Sequence, residues 1–148
     1  MVDLLLLLIM QILLIDCREG TTWELLNGLD WIYETHTTNF PNSPAIISMS
    51  LGSEYSRSFN RYINAISSEG FVVITAAGND ALDACSFSPS SASATISVAA
   101  STRDDFESSF SNYGPCVDIF APGEFILSSW HTGNDAYSYA SGTSMACP

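Results

Sequence analysis

The sequence predicts an α/β fold in three layers, a mostly parallel sheet with helices on both faces. Two observations carry this expectation. Short apolar runs bounded by glycine or turn residues, at 45–50 and 71–77, alternate with longer stretches whose apolar residues recur at helical spacing. A strand–helix–strand–helix–strand order then calls for right-handed crossovers, which bury a parallel sheet between helices. In such sheets ligands gather at the carboxyl ends of the strands.

Residues 1–13 are an apolar stretch of doubtful assignment: 4–10 is unbroken apolar, then comes Gln11, then 12–15. That is shorter than the roughly twenty apolar residues of a membrane span. No basic n-region or small-residue cleavage site marks a signal peptide, and a buried strand over 11–16 reads at least as well. Next, Thr21-Thr22-Trp23-Glu24 spells a capping box, with Thr21 as N-cap and Glu24 reaching back to it. Leu25, Leu26, Leu29, Ile32 and Tyr33 continue it as an amphipathic helix to about Glu34. The prolines and asparagines of 37–44 read as a loop. A strand over 45–50 ends at Gly52, and a helix over 55–68 is stopped by Gly70. The continuous apolar run 71–77 suits a buried parallel strand, and 95–99 and 116–120 supply two more.

A chain of 148 residues holds one domain with a real core, and 47% hydrophobic against 14% charged residues excludes a disordered chain. Sixteen acids stand against four arginines, a net charge of −12. With no lysine to replace counterions on phosphates, nucleic acid is excluded as a partner; the plain effect of such acidity is solubility. Four cysteines permit disulfides without requiring them.

The chemistry centres on Ser141-Gly142-Thr143-Ser144-Met145-Ala146-Cys147-Pro148. A small-residue turn delivers Ser144 where a helix can begin, and Pro148 falls near the first turn, where a missing N–H costs little. Unpaired N–H groups at a helix start favour developing negative charge, so a serine there can attack a carbonyl while its own N–H binds the oxyanion. Ser/Gly/Thr clusters are also ordinary loops. Asn79, after a buried strand and a glycine, can supply a second donor, although Gly78-Asn79-Asp80 also suits a plain turn. Ser50-Leu51-Gly52 and Ala76-Ala77-Gly78 leave exposed backbone for an extended peptide and room for a large apolar side chain; close helix–strand packing would use the same small residues.

Gly142-Thr143-Ser144-Met145-Ala146-x-Pro148 resembles the nucleophile motif of the subtilisin-like serine proteases, the subtilases. The likeness continues in Ala76-Ala77-Gly78-Asn79, Ser50-Leu51-Gly52, Ser109-Phe110-Ser111-Asn112-Tyr113-Gly114 and Asp118-Ile119-Phe120-Ala121-Pro122-Gly123, in the order of the proteinase K branch. It implies a subtilisin-like fold, incomplete here, with a partial catalytic domain over 14–148. By this resemblance the function is serine endopeptidase, Ser144 is the nucleophile and Asn79 belongs to the oxyanion hole. Ser50, Leu51, Gly52, Ala76, Ala77 and Gly78 line the primary specificity pocket, which favours an aliphatic or aromatic residue before the cut bond. Catalysis needs no cofactor. The partners are polypeptides, with no nucleic acid and no firm sign of a membrane, and the protein is expected to be a monomer.

The resemblance also pairs Cys85 with Cys116, which implies an extracellular, secreted protein. Cys17 matches a cysteine whose family partner lies upstream, and Cys147 reads as a small buried filler. A structural calcium site is implied at the Asp118 carboxylate and the carbonyls of Ser93 and Thr95; alternatively Asp118 only caps a loop. One departure falls at Asp16-Cys17-Arg18-Glu19-Gly20-Thr21, where the family's Gly/Ser-rich edge segment is one residue shorter and carries two charges.

A serine needs a base, and the chain has only His36 and His131, both expected in surface loops. Neither lies in the family's His-Gly-Thr-His motif, and no Asp-Thr/Ser-Gly motif is present. The sequence thus reads as the C-terminal part of a protease core lacking the triad Asp and His, and this chain alone is expected to be inactive. A non-catalytic pseudoprotease or binding domain is the alternative. An α/β-hydrolase fits poorly, since Ala146 stands where its elbow needs glycine and its acid and histidine should follow the serine.

Overall fold

Packing of one helical face against apolar strands explains most of the architecture seen in a computed structural model, which describes residues 20–148 and the backbone of Leu6–Ile9. The expected strand over 11–16, Cys17 and the departure at Arg18 and Glu19 lie outside the described residues. Five parallel strands form the sheet in the order β1-β2-β4-β6-β7: β1 Leu6–Ile9, β2 Ala45–Met49, β4 Phe71–Ala76, β6 Thr95–Ser101 and β7 Ile119–Pro122. Two short antiparallel pairs stand apart, β3 Ser53–Glu54 with β5 Phe87–Ser88, and β8 Ile126–Ser129 with β9 Tyr137–Ala140.

Helix α1, Thr22–Asn39, begins at the capping box: Thr21 Oγ1 accepts from the Glu24 N–H at 3.2 Å, and a Glu24 carboxylate oxygen accepts from the Thr21 N–H at 2.8 Å. Helix α2, Arg57–Ser68, starts on Ser56, whose hydroxyl accepts from the Phe59 N–H at 3.3 Å, and gives way at Gly70 with φ +97°. Leu29 and Ile32 of α1 and Phe59, Ile63 and Ile66 of α2 bury against Ala45, Ile47, Met49, Phe71 and Val73. On the opposite face the four-residue helix α3, Thr143–Ala146, brings Ala146 onto Val98 and Ala100. Helices thus flank the sheet on both sides, as expected.

Three expectations need correction. Helix α1 runs to Asn39 rather than ending near Glu34, so part of the expected 37–44 loop is helical. Thr37 Oγ1 donates to the Tyr33 carbonyl at 2.8 Å and Asn39 Nδ2 to the Thr35 carbonyl at 3.0 Å, which fits these polar residues into the last turns. His36 is consequently not a surface loop residue. It is buried on α1, its Nε2 lies 2.9 Å from the Ser43 carbonyl oxygen, and its ring meets Phe71 edge-on at 4.9 Å. Finally, the last sheet strand begins at Ile119 instead of residue 116, because Asp118 bonds sideways: its N–H donates to the Ser97 carbonyl at 2.9 Å, and its carboxylate accepts from the Ser97 N–H at 2.7 Å.

Candidate functional site

The carboxyl ends of β2 and β4 converge on the start of α3. Ser50, just past β2, exchanges two hydrogen bonds with Ser144: Ser50 Oγ donates to the Ser144 carbonyl at 2.9 Å, and Ser144 Oγ donates to the Ser50 carbonyl at 3.2 Å. Ser144 is half-buried, and its hydroxyl hydrogen therefore already has an acceptor that any base must displace. Its backbone N–H belongs to the first helical turn, whose donors have no intrahelical partner.

Asn79, just past β4, is fixed through its oxygen. Asn79 Oδ1 accepts from the Thr143 N–H at 2.7 Å and from Thr143 Oγ1 at 3.0 Å, while Thr143 Oγ1 accepts from the Gly78 N–H at 3.2 Å. The amide oxygen is thus bonded to the first residue of α3, which leaves Nδ2 as the donor end of the amide.

The loop that carries Asn79 is held by Asn112, which is wholly buried. Asn112 Oδ1 accepts from the N–H groups of Asp80 at 2.9 Å and Leu82 at 3.1 Å, and its Nδ2 donates to the Ala77 carbonyl at 2.9 Å. Gly78, at φ +109°, makes room for it, since a Cβ there would stand 2.2 Å from Asn112 Nδ2. Neither Asn112 nor Thr143 had a role assigned from sequence, although both lie inside recognised motifs; their partners are 30 or more residues away.

These elements enclose a cavity of about 370 Å³ lined by Leu51, Gly52, Ala76, Ala77, Gly78, Asn79, Thr143 and Ser144, together with β3, β5, Asp80 and Ser90. All the expected substrate-contact residues except Ser50 line it, and Ser50 is bonded to Ser144. Neither histidine does. His36 is buried on α1 against Phe71, and His131 sits exposed beside Trp130 in the β8–β9 turn, ring centroids 5.2 Å apart.

Cys85 and Cys116 form a disulfide, Cα atoms 5.2 Å apart, across a sequence separation of 31. Cys147 is buried and free, 3.7 Å from Ser48 Oγ, and burial pushes its thiol pKa up. Away from the cavity, Asp118 commits one carboxylate oxygen to the Ser97 N–H at 2.7 Å. Among the described residues no group of three His, Cys, Asp or Glu side chains could hold a metal. No helix of the described residues is long and apolar enough to cross a membrane.

A sequence model of the subtilase family matches residues 7–148. The chain is 43% identical over 135 residues to an extracellular serine proteinase of Thermus sp. (strain Rt41A), covering 90% of this chain and 32% of that protein. It is 45% identical over 129 residues to an alkaline proteinase of Hapsidospora chrysogena, covering 87% of this chain and 32% of that one. It thus spans about a third of the length of these curated relatives. The crystal structure of a cold adapted subtilisin-like serine proteinase matches with a TM-score of 0.77 and 37% identity, over 87% of this chain and 45% of that one. By sequence and by fold, the chain belongs to the subtilase family.

Proposed function

We propose that this chain is part of a serine endopeptidase that cleaves polypeptides through an acyl-enzyme. The observation that supports the reading is the lock on Asn79: its oxygen is spent on Thr143, which leaves Nδ2 as the donor end of a side chain that lines the same cavity as Ser144. Ser144 attacks the scissile carbonyl, and Asn79 Nδ2 with the Ser144 N–H receives the oxyanion. On attack Ser144 Oγ breaks its hydrogen bond to the Ser50 carbonyl and gives its proton to a base other than His36 and His131, neither of which lines the cavity.

The test is covalent labelling by a fluorophosphonate probe in the protein at its full natural length. Ser144 is expected to label there and Ser144→Ala to remain blank, whereas purified residues 1–148 are expected not to label. Asn79→Ala should lower kcat by about 10²–10³, the range known when subtilisin loses its own side-chain donor. Absence of labelling in the full-length protein would favour a pseudoprotease, and labelling of 1–148 alone would mean that His36 or another local group is the base.

The Cys85–Cys116 disulfide and the likeness to the extracellular serine proteinase of Thermus support secretion. We also propose a structural calcium ion held by Asp118 with the carbonyls of Ser93 and Thr95. Calcium should raise the melting temperature, and Asp118→Asn should abolish the rise.

A further inference from the structure

The cavity beside Ser144 has a charge pattern that the expectation of an apolar substrate side chain does not explain. Leu51, Ala76, Ala77 and half-buried Phe87 give it apolar walls. Among the described residues its lining contains two charged ones, Glu54 and Asp80, both exposed and both acidic. They come from different elements. Glu54 is held in β3, paired with Phe87 of β5, so the carboxylate and the aromatic ring belong to one wall. Asp80 follows Asn79, and its backbone is pinned by Asn112. Its Oδ2 lies 3.6 Å from where a Gly78 Cβ would stand, so the carboxylate sits over a glycine of the cavity wall. Among the described residues no arginine lines the cavity to neutralise either carboxylate.

We propose that this cavity selects a substrate side chain with an apolar stem and a cationic head, lysine or arginine, at the residue before the cut bond. The proposal rests on the reading of the cavity as the specificity pocket of a peptidase. A lysine stem packs along Leu51, Ala76 and Phe87 while its ammonium meets Glu54 and Asp80 near the solvent. An acidic side chain is rejected by the same two carboxylates. The chain's net charge of −12 adds a field that draws cationic peptides towards the site. Because both carboxylates are exposed, the selection is modest and salt-sensitive.

The test separates binding from chemistry. In the full-length protein carrying Ser144→Ala, which cannot turn over, the affinities of labelled Ala-Ala-Pro-X amides with X as Lys, Met or Glu are compared by fluorescence anisotropy. Lys should bind about three- to tenfold more tightly than Met, and Met more tightly than Glu, with the Lys advantage shrinking in about 0.5 M salt. The pair Glu54→Gln with Asp80→Asn should bring Lys and Met to about equal affinity. Equal affinities in the parent, an order favouring Met, a Lys advantage that survives the double substitution, or no binding of any peptide overturns the proposal. Failure of Ser144 to label, with the Lys preference intact, overturns only the peptidase reading.

Discussion

On one face of the sheet Leu29, Ile32, Phe59 and Ile63 press against Ile47, Phe71 and Val73, all buried. On the other, the single turn of α3 meets Val98 and Ala100, and Val72, Ile96 and Ile119 on the same face remain 41–54% exposed. The first face is a core of large, branched side chains that closes on itself. The second, where α3 holds Ser144, is covered only in part, so that helix is fixed by the bonds of Thr143 to Asn79 and of Ser144 to Ser50 more than by packing. Most of the large core thus lies on one side of the sheet and the helix carrying Ser144 on the other.

The largest expected effect contrasts the two faces directly. Phe59→Ala on the closed face should destabilise by about 3–5 kcal/mol through a cavity that cannot collapse, whereas Ile96→Ala on the open face should cost less than about 1 kcal/mol. Paired denaturant melts check both, and equal costs would dissolve the distinction. Replacing Cys85 and Cys116 by serine should cost roughly 3–4 kcal/mol by the loop-entropy argument. These cysteines stand beside a cluster of Ala77, Ala84 and Ala99, so a loss under about 1 kcal/mol would mean that this small-residue cluster holds together without its covalent link.

Asn112→Ala should cost about 2–3 kcal/mol, since it leaves the Asp80 and Leu82 N–H groups without their acceptor. Faster amide exchange confined to 78–82 would mark the effect as local. The smallest effect belongs to the helix start on the closed side, where Thr21→Ala should cost about 1 kcal/mol. Backbone and hydroxyl hydrogen bonds from Thr21 hold the Glu24 carboxyl below its usual pKa. The stabilisation from this lowered pKa is therefore present above the unfolded-state pKa and is lost as pH falls through the folded one. A pH titration of the melting temperature in parent and Glu24→Gln should diverge at neutral pH and converge in acid.

The capping box was legible because its signal spans four residues and needs no tertiary partner. The end of the same helix was not. Thr and Asn weigh against helix in isolation, and only the bonds of Thr37 and Asn39 to preceding carbonyls let the helix continue. Continuation places His36 on the buried stripe of Leu29 and Ile32, seven and four residues earlier, where Phe71 receives it. Within the site, the cavity residues could be named from motifs, but Glu54 and Asp80 could not be recognised as sharing that cavity. Their proximity depends on the pairing of β3 with β5 and on the Asn112 hub, both set by contacts about thirty residues apart in sequence.

The orientation of Asn79 carries one consequence for the ageing of the protein. Its oxygen accepts two hydrogen bonds from Thr143, and its nitrogen is the group assigned to chemistry. Hydrolytic deamidation to aspartate, when it yields the normal rather than the iso-linked residue, keeps both accepted bonds and gives the α3 start a full negative charge, which its dipole favours. The fold would survive, and a melting curve would not register the change. The oxyanion would then meet a carboxylate in place of a donor. A stored sample could thus lose turnover one molecule at a time while remaining native by every conformational measure, and a mass gain of about 1 Da on the peptide carrying residue 79 would be its signature.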